Sequence, residues 1–143
     1  QQLLTPTLVP VTPQRLALLD TLRPMLDRLG VRAEPLGPRD IAVHCFPSFL
    51  FERGVDPAEF LDDLLDKAER DDFVATSEEA LRDVLDMMAC KAAVKAGDEL
   101  SQPELHDLLA LRETVERSSN CPHGRPTSIR LTIHQLERLF GRT

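Results

Sequence analysis

The sequence has no tryptophan or tyrosine, so its 6 phenylalanines are its only aromatic side chains. Proteins that bind single-stranded nucleic acid stack the bases on aromatic rings, and these phenylalanines are not arranged for that purpose. Basic residues are also few: 17 Lys and Arg stand against 24 Asp and Glu, which gives a net charge of −7. The composition therefore argues against strong autonomous DNA binding, which requires clustered cations to neutralise phosphates.

Cysteine is scarce as well, with 3 residues at wide spacing, a pattern typical of reduced intracellular thiols rather than of a disulfide framework. No apolar run reaches the ~20 residues of a membrane span, and no signal peptide opens the sequence. Hydrophobic residues make up 42% of the chain and charged residues 29%, as in ordinary globular domains. We therefore expect a cytoplasmic protein with no membrane partner, folded as one domain or as two small lobes.

Hydrophobic periodicity and capping residues predict a mixed α/β (α+β) chain with the order β-α-β-β-α-α-α-β-α. The predicted strands cover residues 1–11, 31–36, 41–46 and 127–132. Those at 31–36 and 41–46 are joined by Gly37-Pro38-Arg39-Asp40 as a β-hairpin, and residues 47–54 are predicted as a loop or a short turn. The predicted helices cover residues 13–29, 57 to about 70, 78 to about 96, 101 to about 117 and 133–142. Thr12 and Asp56 are the predicted N-caps of the first two helices, and Ser101 opens the fourth. Pro24 is expected to kink or break the first helix locally. The acidic residues of the second helix predict a solvated face rather than a metal cluster, because no soft or basic ligand accompanies them.

The hexapeptide Cys121-Pro122-His123-Gly124-Arg125-Pro126 carries the most specific chemical pattern. It places a thiolate and an imidazole two residues apart across a proline, which suits zinc or a similar transition ion. If Cys121 and His123 bind one ion, their ligand atoms should lie roughly 3–5 Å apart. Cys90, near the end of a helical segment, offers a third ligand. A buried structural cysteine is the alternative for each thiol.

Three motifs occur in order along the chain: Ala89-Cys90-Lys91, the hexapeptide, and Leu136-Glu137-Arg138-Leu139-Phe140-Gly141-Arg142. In these motifs the sequence resembles the C-terminal domain of the MutL family of DNA mismatch-repair proteins, in the form that carries an endonuclease. The resemblance covers essentially the whole chain. The family's motif Asp-Gln-His-Ala-x-x-Glu-x-x-x-x-Glu normally lies just upstream of a segment like residues 1–10, and it is absent. We therefore interpret the chain as a fragment.

The resemblance implies a two-lobed domain. Residues 1–98 would form a regulatory lobe inserted into a dimerisation lobe, and residues 99–143 would form the C-terminal half of that dimerisation lobe. The parent protein would nick DNA with a divalent metal, Zn²⁺ or Mn²⁺, and would bind ATP in a separate domain outside this chain. Its expected partners are a second copy, DNA and the mismatch-recognition machinery. The fragment alone is expected to be inactive, because the family's remaining metal ligands lie upstream.

The resemblance also assigns individual residues. Cys90, Cys121 and His123 match the family's downstream metal-site residues, and Arg125 would orient a phosphate or brace the loop. At the other end of the chain, Gln1, Leu4 and Pro6 fit the pattern Gln-x-x-Leu-x-Pro. They occur in that order as Gln1-Gln2-Leu3-Leu4-Thr5-Pro6. This pattern resembles the extended peptide with which the MutL family contacts the replicative sliding clamp.

Two other functions remain open from the residues alone. One is a clamp-binding and dimerisation module with no catalytic role. The other is an unrelated small zinc-binding domain, which would need a fourth ligand within this chain. His44, His106 and His134 are the candidates for that fourth ligand.

Overall fold

The computed structural model describes residues 1–70, 72–115, 119–122 and 124–142. The fold is mixed α+β, as predicted. Its elements in chain order are β1 Gln2–Pro10, α1 Pro13–Leu29, β2 Arg32–Pro35, β3 Asp40–Cys45, α2 Ser48–Glu52, α3 Pro57–Ala68, α4 Glu78–Ala92, α5 Gln102–Thr114 and α6 Ile133–Leu139. The chain divides into two compact units, a first unit of Gln1–Val94 and a second unit of Lys95–Thr143.

The first unit contains a three-stranded antiparallel sheet in the order β1-β3-β2. Strands β2 and β3 form the predicted hairpin, whose turn is closed by the Leu36 N–H donating to the Asp40 carbonyl at 2.8 Å. Gly37 in that turn has φ of 74°, a left-handed conformation that glycine adopts without a steric penalty. Each edge strand ends in a proline, β1 in Pro10 and β2 in Pro35.

Helices α1, α3 and α4 of the first unit begin at side-chain caps. Thr12, Asp56 and Ser77 each accept hydrogen bonds from backbone N–H groups in the first helical turn. These bonds satisfy donors that a helix start otherwise leaves without partners. Pro24 does not break α1, which runs continuously from Pro13 to Leu29. It lies on the exposed side of the helix, where water can solvate the carbonyl that lacks its usual partner.

The apolar core lies between the sheet and the helices of the first unit. Phe46 and Phe60 are fully buried and pack edge to face, with ring centroids 5.4 Å apart. The other largest buried side chains are Leu19, Leu22, Met25, Val31, Ile41, Val43, Leu50, Leu61, Leu64 and Leu65. No polar or charged residue among those described is buried. The core of this unit is therefore held together by hydrophobic burial.

The second unit consists of helices α5 and α6 with their connections. Both helices begin with a capping box, formed by Ser101 with Glu104 and by Thr132 with Gln135. None of the described residues of this unit is buried. The predicted strand at residues 127–132 is wrong, because no strand is assigned there. A strand needs a neighbour, and the described part of this unit offers only an isolated bridge between Asn120 and Pro126.

Two further differences from the predictions concern helices. Helix α2, at residues 48–52, was expected only as a loop or short turn. Helix α4 ends at Ala92, where residue 96 was predicted, and Ala93 is already extended. None of the described helices is both long and apolar enough to cross a membrane.

Candidate functional site

Backbone hydrogen bonds join the described residues of the hexapeptide to one another and join the residues that flank it. The Thr127 N–H donates to the Ser119 carbonyl and the Cys121 N–H donates to the Arg125 carbonyl, each at 2.8 Å. Between these two bonds Asn120 and Pro126 form an antiparallel bridge. At the tip, the Gly124 N–H donates to the Cys121 carbonyl at 2.8 Å. The backbone of Cys121 is therefore fixed by hydrogen bonds on both its N–H and its carbonyl.

The side chains of this loop stand in different environments. Cys121 is a half-buried thiol, whereas the Arg125 side chain is exposed. Arg125 was predicted to orient a phosphate or to brace the loop. Its backbone carbonyl accepts the Cys121 N–H, and the role predicted for its side chain stays a prediction. His123 lies outside the described residues, so its distance from Cys121 stays a prediction.

Cys90 lies in the first unit, in the last turn of α4, and is half-buried. The ends of two neighbouring side chains reach this turn. The Lys91 ammonium is 2.6 Å from a carboxylate oxygen of Asp63 on α3. The Nε of Arg53 donates to the Ala92 carbonyl at 3.0 Å. The final turn of α4 is thus bonded to groups from outside the helix at the two residues that follow Cys90.

The donor types of Cys90, Cys121 and His123 fit zinc, because thiolate sulfur and imidazole nitrogen are its usual protein ligands. The closed loop around Cys121 fits a ligand whose backbone must not move when the metal binds. The described residues hold no group of three or more His, Cys, Asp or Glu that could bind a metal ion. The joint ligand role of these three residues therefore stays a prediction.

The other predicted site begins the chain. β1 pairs regularly with β3 from Thr7 onward, but the register shifts between Gln2 and Thr7. Gln2 is opposite Cys45 and Thr7 is opposite Val43, so β1 advances by five residues over the stretch in which β3 advances by two. The extra residues form a bulge, with Leu4 and Pro6 exposed on it. Gln1, also exposed, is tied down because its carbonyl accepts the Phe46 N–H at 2.9 Å.

Leu4 is the most exposed large hydrophobic residue among those described, and it is fully solvent-accessible. A bulge re-aims side chains away from the regular alternation of a strand. The structure therefore presents Gln1, Leu4 and Pro6 together on an extended, accessible segment of an edge strand. Whether a clamp binds there stays a prediction.

Sequence reasoning missed a cluster of charges around Arg15 at the start of α1. Its guanidinium donates to Asp62 at 2.7 Å, to Glu69 at 2.9 Å and to Asp66. The hydrogen bonds that Arg15 donates to Glu69 and, second, to Asp66 raise its pKa further above its already high ordinary value. The acidic side of α3 is thus only partly solvated and ties this helix to α1.

The match to known families shows which family the chain belongs to. The family described as the MutL C terminal dimerisation domain matches residues 1–100. The chain belongs to this MutL family. Its similar relatives include the DNA mismatch repair protein MutL of Bartonella bacilliformis, 37% identical over 142 residues, and that of Mesorhizobium japonicum, 36% identical over 142 residues. A third is the MutL of Phenylobacterium zucineum, 34% identical over 142 residues.

These matches cover 99% of this chain but only 22% to 23% of each MutL relative. The chain therefore spans a little under a quarter of the length of the curated relatives it matches. Membership of the MutL family overturns the alternative of an unrelated small zinc-binding domain.

The histidines proposed as a fourth ligand for that alternative have other surroundings. Nε2 of His44 is 3.8 Å from a Glu34 carboxylate oxygen, and Nδ1 of His134 is 3.9 Å from one of Glu137. His106 is exposed on α5.

Proposed function

We propose that this chain is the C-terminal regulatory and dimerisation part of a MutL-type DNA mismatch-repair protein, and that it carries part of a metal-dependent DNA-nicking site. The observation that supports this most is the similarity to MutL proteins over 99% of the chain. That similarity extends through the end of α4 and the hexapeptide, the two segments that hold Cys90 and Cys121.

In this proposal Cys121, His123 and Cys90 bind a divalent ion, Zn²⁺ or Mn²⁺. The remaining ligands come from a part of the longer protein outside these 143 residues. The bound ion would lower the pKa of a water molecule and stabilise the negative charge that develops at phosphorus. The exposed guanidinium of Arg125 is suited to bind a phosphate through paired N–H donors.

The net charge of −7 bears on how the site meets its substrate. Phosphate binding requires cations, so we propose that DNA is held mainly by the rest of the protein. ATP is bound in a separate domain, and a second copy joins through the C-terminal lobe. The exposed leucines of α5, among them Leu109 and Leu111, are consistent with a surface that is covered in the assembled protein.

Nicking of supercoiled plasmid by the whole protein with manganese tests the catalytic proposal. We expect Cys121→Ala and His123→Ala to abolish nicking, because each removes a metal ligand. Cys45→Ala is the matched control, since Cys45 is also a half-buried thiol but lies on β3. Residues 1–143 alone should leave the plasmid uncut. Nicking that survives both ligand substitutions would place the chemistry elsewhere.

A second function, binding of the replicative sliding clamp, is favoured by the bulge in β1. It gives an extended segment with an apolar side chain, Leu4, fully available to a partner pocket. We expect Gln1→Ala combined with Leu4→Ala to weaken clamp binding by the whole protein about tenfold or more. Leu8→Ala is the control, because Leu8 is an exposed leucine on the regular part of the same strand. Equal affinity of the double variant and the wild type would contradict clamp binding at this segment.

A further inference from the structure

The bulge in β1, residues 3–6, lies between two pairings of β1 with the strand beside it. On its upstream side the Gln1 backbone nitrogen donates to the Phe46 carbonyl at 3.0 Å, and the Gln1 carbonyl accepts the Phe46 N–H at 2.9 Å. On its downstream side Thr7 is opposite Val43. Phe46 and Val43 are both completely buried. Both ends of the bulge are therefore paired with residues that the core holds in place.

The two leucines of the bulge differ in their exposure to solvent. Leu4 is fully solvent-accessible, and Thr5 and Pro6 are also exposed. Leu3 is partly buried and packs against the apolar core. The pattern Gln-x-x-Leu-x-Pro assigns no role to Leu3, because Leu3 occupies its second variable position. Among residues 3–6, all of which the structure describes, Leu3 is the one that packs against the core.

We infer that Leu3 is a positioning residue that holds Leu4 and Pro6 in the conformation in which they bind the sliding clamp. This inference rests on the proposed function, in which this segment binds the clamp. A segment that is already ordered loses less conformational freedom when it binds a partner. Leu3 supplies that order by packing inward, while the Leu4 side chain stays available to the partner. Leu3 thus contributes to clamp affinity without contacting the clamp.

Clamp binding by the whole protein and by a short peptide tests this inference. The peptide covers residues 1–8 and has no core against which Leu3 can pack. In the whole protein we expect Leu3→Ala to raise the Kd for the clamp about fivefold or more. In the peptide, measured up to millimolar concentration, the same change should leave the Kd unaltered. Leu4→Ala should raise the Kd in both.

Two variants control for general destabilisation of the first unit. Leu18→Ala makes the same change at another partly buried leucine that packs against the core, on α1. It should lower the thermal unfolding midpoint about as much as Leu3→Ala does, and it should bind the clamp as the wild type does. Leu3→Met keeps an apolar side chain of similar volume and should retain nearly wild-type affinity for the clamp.

The Leu4→Ala variant separates failure of this inference from failure of the proposed function. If Leu4→Ala leaves the Kd of the whole protein unchanged, the clamp does not bind this segment, and the inference falls with that proposal. If Leu4→Ala weakens binding but Leu3→Ala does not, the clamp site stands and the positioning role is wrong.

Two further results would overturn the positioning role of Leu3. Equal losses for Leu3→Ala in the protein and in the peptide would show that Leu3 contacts the clamp directly. Equal losses for Leu3→Ala and Leu18→Ala in the whole protein would show a general effect of destabilisation. A wild-type peptide that fails to bind, beside a whole protein weakened by both Leu3→Ala and Leu4→Ala, supports the inference, because the segment then binds only when the fold holds it.

Discussion

The two units of this chain keep their shape by different means. In the first unit the sheet and helices α1, α3 and α4 enclose a continuous apolar core that includes the Phe46–Phe60 pair. In the second unit α5 and α6 are capped at their starts, but none of the described residues there is buried. Local hydrogen bonds thus define the helices of the second unit, while tertiary burial defines the first.

This difference shows which unit buries enough apolar surface to be stable by itself. Burial of large apolar side chains provides most of the stability of a domain. Short helices without such burial are marginal in water, even with good caps. Leu109, Ile133 and Phe140 of the second unit are exposed. We conclude that the first unit has the means to fold independently and that the second unit depends on a covering surface.

Separating the units at Val94 and Lys95 is the strongest test of this comparison. We expect residues 1–94 to unfold cooperatively in urea. Residues 95–143 should show no cooperative transition, because α5 has 13 residues and α6 has 7, at or below the ~12–15 residues at which isolated helices are marginal. Far-UV circular dichroism is the appropriate probe, since the chain has no Trp. A cooperative transition in residues 95–143 alone would break the comparison.

The second-largest difference is expected between matched large-to-small substitutions in the two units, measured as the loss in free energy of unfolding. Phe60→Ala removes a completely buried ring and should lower the free energy of unfolding by about 3–5 kcal/mol. Leu109→Ala removes an exposed side chain and should change it by less than about 0.5 kcal/mol. Urea titrations of both variants measure these changes. These titrations use residues 1–143 alone, so a large loss in Leu109→Ala would mean that this leucine is covered even without the rest of the protein.

Replacing Arg15 measures how much its ion pairs contribute to the stability of the first unit. Arg15→Met leaves Asp62, Asp66 and Glu69 without their shared cation and should lower the free energy of unfolding by about 1 kcal/mol, since the carboxylates are half-exposed. The loss should shrink in high salt, which screens the interaction. Arg23→Met is the control and should have almost no effect. Equal losses in the two variants would remove the special role of Arg15.

Removal of helix caps should have the smallest effect on stability. Its effect on amide hydrogen exchange should differ between the two units. Ser101→Ala and Ser77→Ala each remove a cap, a loss of about 0.5–1 kcal/mol. In α5 no buried residue compensates, so amide hydrogen exchange across α5 should accelerate. In α4 buried residues such as Val84 hold the helix, so exchange should accelerate only in its first turn. Equal fraying of α4 and α5 would contradict this expectation.

The sequence predicted the elements that depend on local chemistry. Thr12, Asp56 and Ser101 were recognised as helix starts, and each one caps its helix in the structure. The hairpin turn containing Gly37 was also predicted. These features succeed because the residues that determine them are neighbours in the chain.

The features that sequence reasoning missed depend on contacts between residues that are far apart in the sequence. Arg15 meets its carboxylates across 47 to 54 residues, and no local pattern reports such a pairing. Residues 127–132 alternate as a strand does, but alternation cannot supply the neighbouring strand that pairing requires. For the site, the motifs predicted Cys90 and Cys121 as ligands, which stays a prediction, whereas the bonds of the α4 terminus to Asp63 and Arg53 became visible only in the fold.

The prolines of the sheet limit how copies of this protein can associate. Proline has no backbone N–H, so Pro6 and Pro10 on one edge strand and Pro35 on the other interrupt the row of donors along each edge. The bulge near Leu4 breaks the regular spacing of the first edge still further. A strand of another molecule would find few donors in register on either side. Edge-to-edge pairing of this sheet with a strand of another molecule is therefore discouraged.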